Sequence, residues 1–512
     1  MADQPRIIQQ IKESHLFAPH GQWDFKETEL SYVFLTADKA YKIKKALNIG
    51  SLNLSAAENR RRFCEQEIEA NREISPKLYL GLRTIYQRPD GTLTLEQTDT
   101  PAEFVVEMNR FPEDRIFLKM LESGTLEEAH LTQLTDIIAR NHQEAPKSGD
   151  GGLYAMTCQE VDQALADLRN CPDIIDANLL DGLESCFMRE LERNKNLIES
   201  REKTHVKLFQ RDLALEGVCL HEGEPTFFDG MPAHREPQKA DTMADLATLV
   251  IDLFYLSRRD LAVLVLNRYL KRTDDFDGLP LLRLYGALQA LQRSVGHCMT
   301  CREIDRPGAC EREAGKGRLY AELALLFMRE TPRQRIVAVG GLSGAGKTTL
   351  ARGLSQQIGA LHIRADAVRK HLWGMPVYKK APPEAYSEAH QEKTYIGLQE
   401  RARKVLEAGL SVVVDGVFAT EELRDGFSQF AQARGLATTT IWCMVPPAVA
   451  QKRIQERLRR AGKPPEDLGA SHEKQLFLNP GRITWHRLDT VYGEENVRQR
   501  ALDLIKLSSP AP

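Results

Sequence analysis

Residues 340–354 read GGLSGAGKTTLARGL and stand between an apolar, strand-like run, RIVAVG, and a segment of helical spacing. Gly341, Gly346, Lys347 and Thr348 fall in the spacing G-x4-G-K-T. Strand, loop and helix in direct succession is the context this pattern requires. Glycines let the backbone curl with its N–H groups turned inward, the lysine can reach the outer phosphates, and a hydroxyl at a helix N-terminus can ligate Mg2+ where peptide dipoles favour anions. Gly341, Leu342, Ser343, Gly344, Ala345, Gly346, Lys347, Thr348 and Thr349 are therefore expected to hold the phosphates of ATP, with Thr348 on the metal. The alternative, a Gly-rich turn without nucleotide, fits these flanking elements poorly.

Around this loop, RIVAVGG, LHIRAD, SVVVDG and TTIWCMV alternate with helical stretches, which predicts a mostly parallel sheet covered on both faces. Asp415 closes the apolar run SVVVD, where a carboxylate can orient Mg2+; an ordinary turn aspartate before glycine is the other reading. Asp366 follows LHIRA at the carboxyl edge of the sheet, where such folds bind ligands, and Arg369 comes one helical turn later. Asp366 reads as the group nearest an acceptor hydroxyl, or as a helix cap. The basic run AQKRIQERLRRAGKPPEDL places Arg453 and Arg457 as lid residues that neutralise the transferred phosphoryl group, or on a solvated helix face.

Residues 335–460 resemble the P-loop small-molecule and nucleic-acid kinases, an AAA-type ATP-binding group that includes gluconate kinase-like enzymes, polynucleotide kinase and the zeta toxins. The resemblance implies ATP and Mg2+ as cofactors and a carboxylate after the second strand, here Asp366, acting on the acceptor. Lys347, Asp366, Arg369, Arg453 and Arg457 are then the catalytic set, and Thr348 and Asp415 the metal ligands.

The preceding sequence has a different grain. YVFLTADKAYKIKK reads as a hairpin, residues 55–74 as a charged helix, and residues 83–108 as strands around a RPDGT turn. Helical patterns follow near 125–143, opened by Thr125 as N-cap, and near 158–200, 243–270 and 279–295. The charged stretch 302–318 reads as an exposed connector before a closing helix. This sheet-and-helix lobe followed by helices is a two-lobed, protein-kinase-like α+β layout, and the boundary is expected at 330, giving domains 1–330 and 331–512. The whole is an α/β multidomain chain.

The first 330 residues resemble the aminoglycoside phosphotransferase-like family, through YVFLTADKAYKIKKALNIGSLNLS, RRRFCEQEIEANREISPKLYLGL, VVEMNRFPEDR and MADLATLVIDLFYLSRRDLA. That resemblance implies a phosphate-binding lysine, Lys42 or Lys44, partnered by Glu67. Active members carry His-Gly-Asp-Leu-His with an Asn three residues further on. Here the corresponding residues are Gln210, Arg211, Asp212, Leu213 and Ala214, with Gly217 in place of the Asn, although Asp212 and Asp229 persist. Without the Asn a metal loses an oxygen ligand, so the loop reads as a degenerate remnant.

Composition bounds the rest. Lys plus Arg number 69 against 72 Asp plus Glu, a net charge of −3, so a nucleic-acid end as acceptor is not indicated by global charge. The N-terminal residues lack the apolar core of a secretory signal and no stretch approaches the roughly 18 apolar residues of a membrane span, so a cytoplasmic protein without a membrane partner is expected. Nine cysteines over this length are expected to be mostly thiols; His297, Cys298, Cys301 and Cys310 form one local group that could hold zinc or be ordinary side chains. The function expected is an ATP-dependent kinase acting on a hydroxyl of a small-molecule or nucleotide-like acceptor. A non-catalytic ATP-binding switch and an antibiotic phosphotransferase acting through the first 330 residues are the rivals.

Overall fold

The computed structural model describes residues 4–19, 21–28, 30–49, 52–72, 75–148, 151–209, 213–228, 238–303, 307–329, 333–460 and 479–508. It divides into two compact units, one of residues 1–134, 145–150 and 202–249, the other of residues 135–144, 151–201 and 250–512.

In the first unit, helix α1 (Gln4–Ser14) precedes β1 (Asp24–Glu27), β2 (Ser31–Leu35), β3 (Lys39–Lys44), the short pair β4 (Asn48–Ile49) and β5 (Leu52–Asn53), helix α2 (Ala57–Arg72), β6 (Tyr79–Gln87), β7 (Leu93–Thr94) and β8 (Pro101–Asn109). Six strands form an antiparallel sheet in the order β1-β2-β3-β8-β6-β7. The hairpin expected over 30–45 is β2–β3, and the charged helix expected over 55–74 is α2. Ile7, Ile8 and Ile11 of α1 pack with Phe34, Ile43, Ile85 and Val105 in one buried cluster. After α3 (Phe117–Glu122), helix α4 spans Glu128–Glu144. Thr125 is not its N-cap: the Thr125 hydroxyl donates to the Met120 carbonyl at 3.3 Å, closing the end of α3 instead. Strands β9 (Val206–Phe209) and β12 (Gln238–Asp241) pair with each other, as do β10 (Val218–His221) and β11 (Glu224–Phe227).

The second unit contains α5 (Leu153–Arg169), α6 (Ala177–Arg201), α8 (Arg259–Thr273), α9 (Leu279–Glu303) and α10 (Pro307–Arg329), with α7 (Thr242–Tyr255) preceding α8. The charged stretch 302–318 is therefore no open connector. Pro307 begins α10, a position where its missing N–H costs nothing, and Ala, Glu, Lys and Arg carry the helix forward.

Beyond it lie β13 (Arg335–Gly340), α11 (Lys347–Ile358), β14 (Leu361–Arg364), α12 (Ala365–Leu372), α13 (Glu388–Glu407), β15 (Val412–Asp415), α14 (Glu421–Gln432), β16 (Ala437–Met444), α15 (Pro447–Arg460), β17 (His486–Asp489) and α16 (Glu494–Leu507). The sheet is fully parallel, in the order β14-β15-β13-β16-β17. Val337, Val339, Val413 and Ile441 of the sheet, Leu354 of α11 and Ile505 of α16 share one buried cluster, each side chain contributing about 1.5–3 kcal/mol. From β13 the chain moves first to one side of the sheet and later to the other, and a crevice at the carboxyl ends of such a sheet is where ligands bind. Among the described residues no helix is long and apolar enough to cross a membrane.

Candidate active site

The loop between β13 and α11 is shaped by its glycines. Gly341 has φ +140° and a Cβ there would stand 2.6 Å from the Cys443 carbonyl oxygen; Gly344 has φ +79° and would meet the Ala450 carbonyl oxygen at 2.6 Å. The loop thus lies against the end of β16 and the start of α15, and only glycine fits at both points. Gly346, also at φ +79°, is the N-cap of α11. The Lys347 Nζ donates to the Leu342 carbonyl at 2.8 Å across the loop. Burial pushes the Lys347 ammonium below its ordinary value, with Asp415 acting in the opposite sense.

Asp415 ends β15 in register with Val339 on one side and Arg364 on the other. Its Oδ1 accepts from the Thr348 hydroxyl at 3.4 Å, and its Oδ2 lies 2.7 Å from His362 Nε2 and 3.9 Å from Arg364 Nε. Burial works to raise the Asp415 carboxyl, but the His362 hydrogen bond and the charges of Arg364 and Lys347 hold it below the usual range. Thr348 and Asp415, the two expected metal ligands, are thus brought face to face. Their paired oxygens suit a hard divalent cation such as Mg2+. His362 was not among the expected residues. Its signal was strand alternation, since His362 and Arg364 occupy one face of β14.

Strand β14 ends at Arg364, and Asp366 is the second residue of α12. The helix N-cap is Arg364, so Asp366 does not stand at the cap position. The Asp366 carboxylate lies 3.0 Å from Lys370 Nζ and 3.8 Å from Arg369 Nη1. Arg369 lies over the Tyr386 ring, 4.6 Å from its centroid, and its Nε is buried without a hydrogen-bond partner among the described residues. The Tyr395 hydroxyl, from α13, accepts the Phe418 backbone N–H at 2.6 Å, which fixes the turn after β15.

On the other side of the loop is a cavity of about 480 Å³, lined among others by Gly344, Lys347, Thr348, Arg453, Arg457 and Arg498. Its size suits a nucleotide-sized ligand. Arg453 donates to the Thr490 hydroxyl at 3.2 Å and to its carbonyl at 2.6 Å, and the Thr490 hydroxyl donates to the Ala345 carbonyl at 3.0 Å. Arg453 therefore braces the loop through Thr490, while the charge of Arg457 reaches Lys347. The end of the basic run, residues 461–468, lies outside the described residues.

In the first unit, Lys42 Nζ lies 3.0 Å from Glu67 Oε1, and Lys44 pairs with Glu67 Oε2. Both lysines and the glutamate are buried. Gln210, Arg211, Asp212 and Asp229 lie outside the described residues; Leu213 and Ala214 are buried. The local group at 297–310 is not assembled around a metal: Cys301 and Cys310 form a disulfide, His297 Nδ1 lies 2.6 Å from Glu313 Oε2, and Cys298 is buried. Among the described residues no three His, Cys, Asp or Glu side chains are grouped to hold a metal.

Residues 336–476 match a family model described as an AAA domain. That match places the segment among AAA-type P-loop domains. An uncharacterized protein of Mycobacterium tuberculosis (strain ATCC 25618 / H37Rv) is 28% identical over 482 residues, covering 91% of this chain and 92% of its own. The cytidylate kinase of Methanopyrus kandleri is 28% identical over 172 residues, 33% of this chain and 82% of its own. Among solved structures, a gluconokinase from Sinorhizobium meliloti covers 35% of this chain and 94% of its own at 19% identity, with a TM-score of 0.25. An aminoglycoside 2'-phosphotransferase-IIIa in complex with GDP covers 63% of this chain and 99% of its own at 12% identity, with a TM-score of 0.39.

Proposed function

We propose that this chain is an ATP- and Mg2+-dependent phosphotransferase in which residues 331–512 transfer the γ-phosphoryl group of ATP to a hydroxyl of a small-molecule or nucleotide-like acceptor, while residues 1–330 bind a ligand or regulate. The observation that carries this reading is the joint placement of Lys347, Thr348 and Asp415 around a glycine-shaped loop, at a helix N-terminus and beside a nucleotide-sized cavity. A kinase for a small nucleotide among the relatives, that of Methanopyrus kandleri, agrees with it.

In this reading the loop N–H groups and Lys347 bind the β- and γ-phosphates. Thr348 and Asp415 hold Mg2+, which neutralises charge on the phosphate oxygens when bound. Asp366 hydrogen-bonds the acceptor hydroxyl and takes its proton as the oxygen bonds to the γ-phosphorus and the bond to the ADP leaving group breaks. Its ion pairs with Lys370 and Arg369 fix the carboxylate's direction. Arg457 supplies positive charge near Lys347, and Arg453 acts through Thr490 on the loop. The buried pairing of Lys42 and Lys44 with Glu67 supports a second element, nucleotide binding by residues 1–330.

The test is a screen of alcohol acceptors with labelled ATP on the full-length chain, covering sugars, nucleotide sugars, nucleosides, aminoglycosides and nucleic-acid ends. Label transfer to one acceptor class is expected. ATP binding without transfer to any acceptor would favour the non-catalytic switch.

A further inference from the structure

Helix α8 lies outside the P-loop segment yet reaches its edge strand. The Asn267 side chain accepts the His362 backbone N–H at 2.6 Å and donates to the Ser355 hydroxyl at 2.9 Å, and His371 Nε2 of α12 lies 3.0 Å from the Lys271 carbonyl oxygen. This seats the C-terminal half of α8 beside the carboxyl end of β14.

The side chains gathered there are unbalanced in charge. Lys271 makes no ion pair or hydrogen bond through Nζ among the described residues, and its neighbours are cations: Arg268 and Arg272 on its own helix, Arg364 from β14 and Lys370 from α12. Most of these neighbours are already engaged. Arg268 and Arg272 both donate to Asp136 of α4; Lys370 pairs with Asp366 at 3.0 Å and donates to the Val377 carbonyl at 2.9 Å. Asp274, at the end of α8, is taken by Arg401 of α13. Arg364 keeps a buried Nε without a hydrogen bond, 3.9 Å from an Asp415 oxygen that His362 already occupies. Lys271 and Arg364 are thus the two cationic groups of the cluster whose donors are left over. A half-buried cation with no carboxylate, as Lys271 is, is costly unless a counter-ion completes the site, and Arg364 has only the distant, shared oxygen of Asp415.

We propose that Lys271 and Arg364 form a subsite for a phosphate-type dianion carried by the acceptor, so that α8, from outside the P-loop segment, completes the acceptor site. The free donors of two cations suit one dianion; Arg364 stands in register with Asp415 and caps the helix that carries Asp366, which sets this charged group of the acceptor at the same sheet edge as Asp366. The acceptor class is then an alcohol that already bears a phosphate or sulfate group. An uncharged sugar or nucleoside would leave Lys271 without a counter-ion and the Arg364 Nε without an acceptor, and would bind more weakly.

The subsite also makes a titration prediction. Burial, then Arg364 and the other three cations, pushes Lys271 from 10.5 down to about 8. At about pH 8 its unprotonated fraction exceeds that of an ordinary lysine on the order of a hundredfold. A bound dianion restores the charged form.

Inorganic phosphate is the probe, on the full-length chain. Brief acylation with a small amine reagent at about pH 8, read by peptide mass spectrometry, should modify Lys271 ahead of exposed lysines such as Lys379. Phosphate at roughly ten times its dissociation constant should slow that modification about tenfold. Arg364→Gln should abolish the protection and Arg364→Lys should keep most of it, which separates lost charge from lost folding. Phosphate without effect on Lys271, or equal protection in Arg364→Gln, overturns the subsite. The proposal rests on the transferase reading, but the two fail separately. An acceptor screen without transfer sinks the transferase reading whatever phosphate does to Lys271, whereas robust transfer with unprotected Lys271 sinks only the subsite.

Discussion

His362→Phe tests the geometry around the metal position without touching either proposed ligand. Phe keeps most of the ring volume at a side chain only 9% exposed, but removes the 2.7 Å hydrogen bond to Asp415 Oδ2. Two independent estimates of the cost agree. A hydrogen bond to a charged group is worth about 1.5–3 kcal/mol. Loss of an outer partner of a metal-ligating side chain typically weakens metal binding by about 10–100-fold, and about 1.4 kcal/mol corresponds to tenfold. The carboxylate, left with the Thr348 hydroxyl at 3.4 Å and the Arg364 Nε at 3.9 Å, is freer to turn away from the position it shares with that hydroxyl. The assay is calorimetric titration of ADP with Mg2+ and with a chelator. The expected result is unchanged ADP affinity in chelator and a Mg2+-dependent gain reduced by about 10–100-fold. A full Mg2+-dependent gain in a folded variant would refute the assignment of Asp415 as a metal ligand oriented by His362.

Asp366→Asn should leave melting temperature and ATP affinity unchanged and lower kcat by on the order of a hundredfold, the scale of a lost proton acceptor, in steady-state assays with the best acceptor. Asp136→Asn should destabilise the second unit at neutral pH. Burial opposes ionisation of Asp136, but Arg272 and Arg268 bring it from 3.8 to about 2, which after screening of a partly exposed group amounts to roughly 1–2 kcal/mol. Because the folded-state value is the lower one, that contribution is present above 3.8 and disappears as pH falls toward about 2, so wild-type and variant melting temperatures should converge in acid. Asp212→Ala should leave acceptor-dependent turnover almost unchanged, since its loop carries Gly217 where an active phosphotransferase loop carries Asn; a hundredfold loss in a folded variant would show a working first site.

The parallel sheet was legible because its strands are short apolar runs buried on both faces, as Val412, Val413 and Val414 are. Strand β17 was not: in HRLD only Leu488 is buried, so an edge strand of polar residues leaves no periodic signal. The stretch 302–318 misled through its charge, although Pro307 marks a helix start and the charged residues between are good helix formers. At the site, Lys347, Thr348 and Asp415 follow from local spacing and strand ends. His362 was readable only through alternation with Arg364. Lys271 was unreadable in principle, because nothing near it in sequence indicates that α8 lies against β14; that contact is made by Asn267 and His362, 95 positions apart.

The central claim is that transfer runs through the glycine loop and not through residues 1–330. Its most direct measurement is acceptor-dependent ADP formation by the full-length chain and by Lys347→Ala at saturating Mg2+. Lys347 is the half-buried cation of the loop, bonded across it to Leu342, and its loss removes the charge that would face the transferred phosphates. The account predicts that a folded Lys347→Ala protein loses essentially all acceptor-dependent turnover and binds ATP more weakly. Turnover near the wild-type rate in that variant would contradict the account and move the chemistry to the first 330 residues.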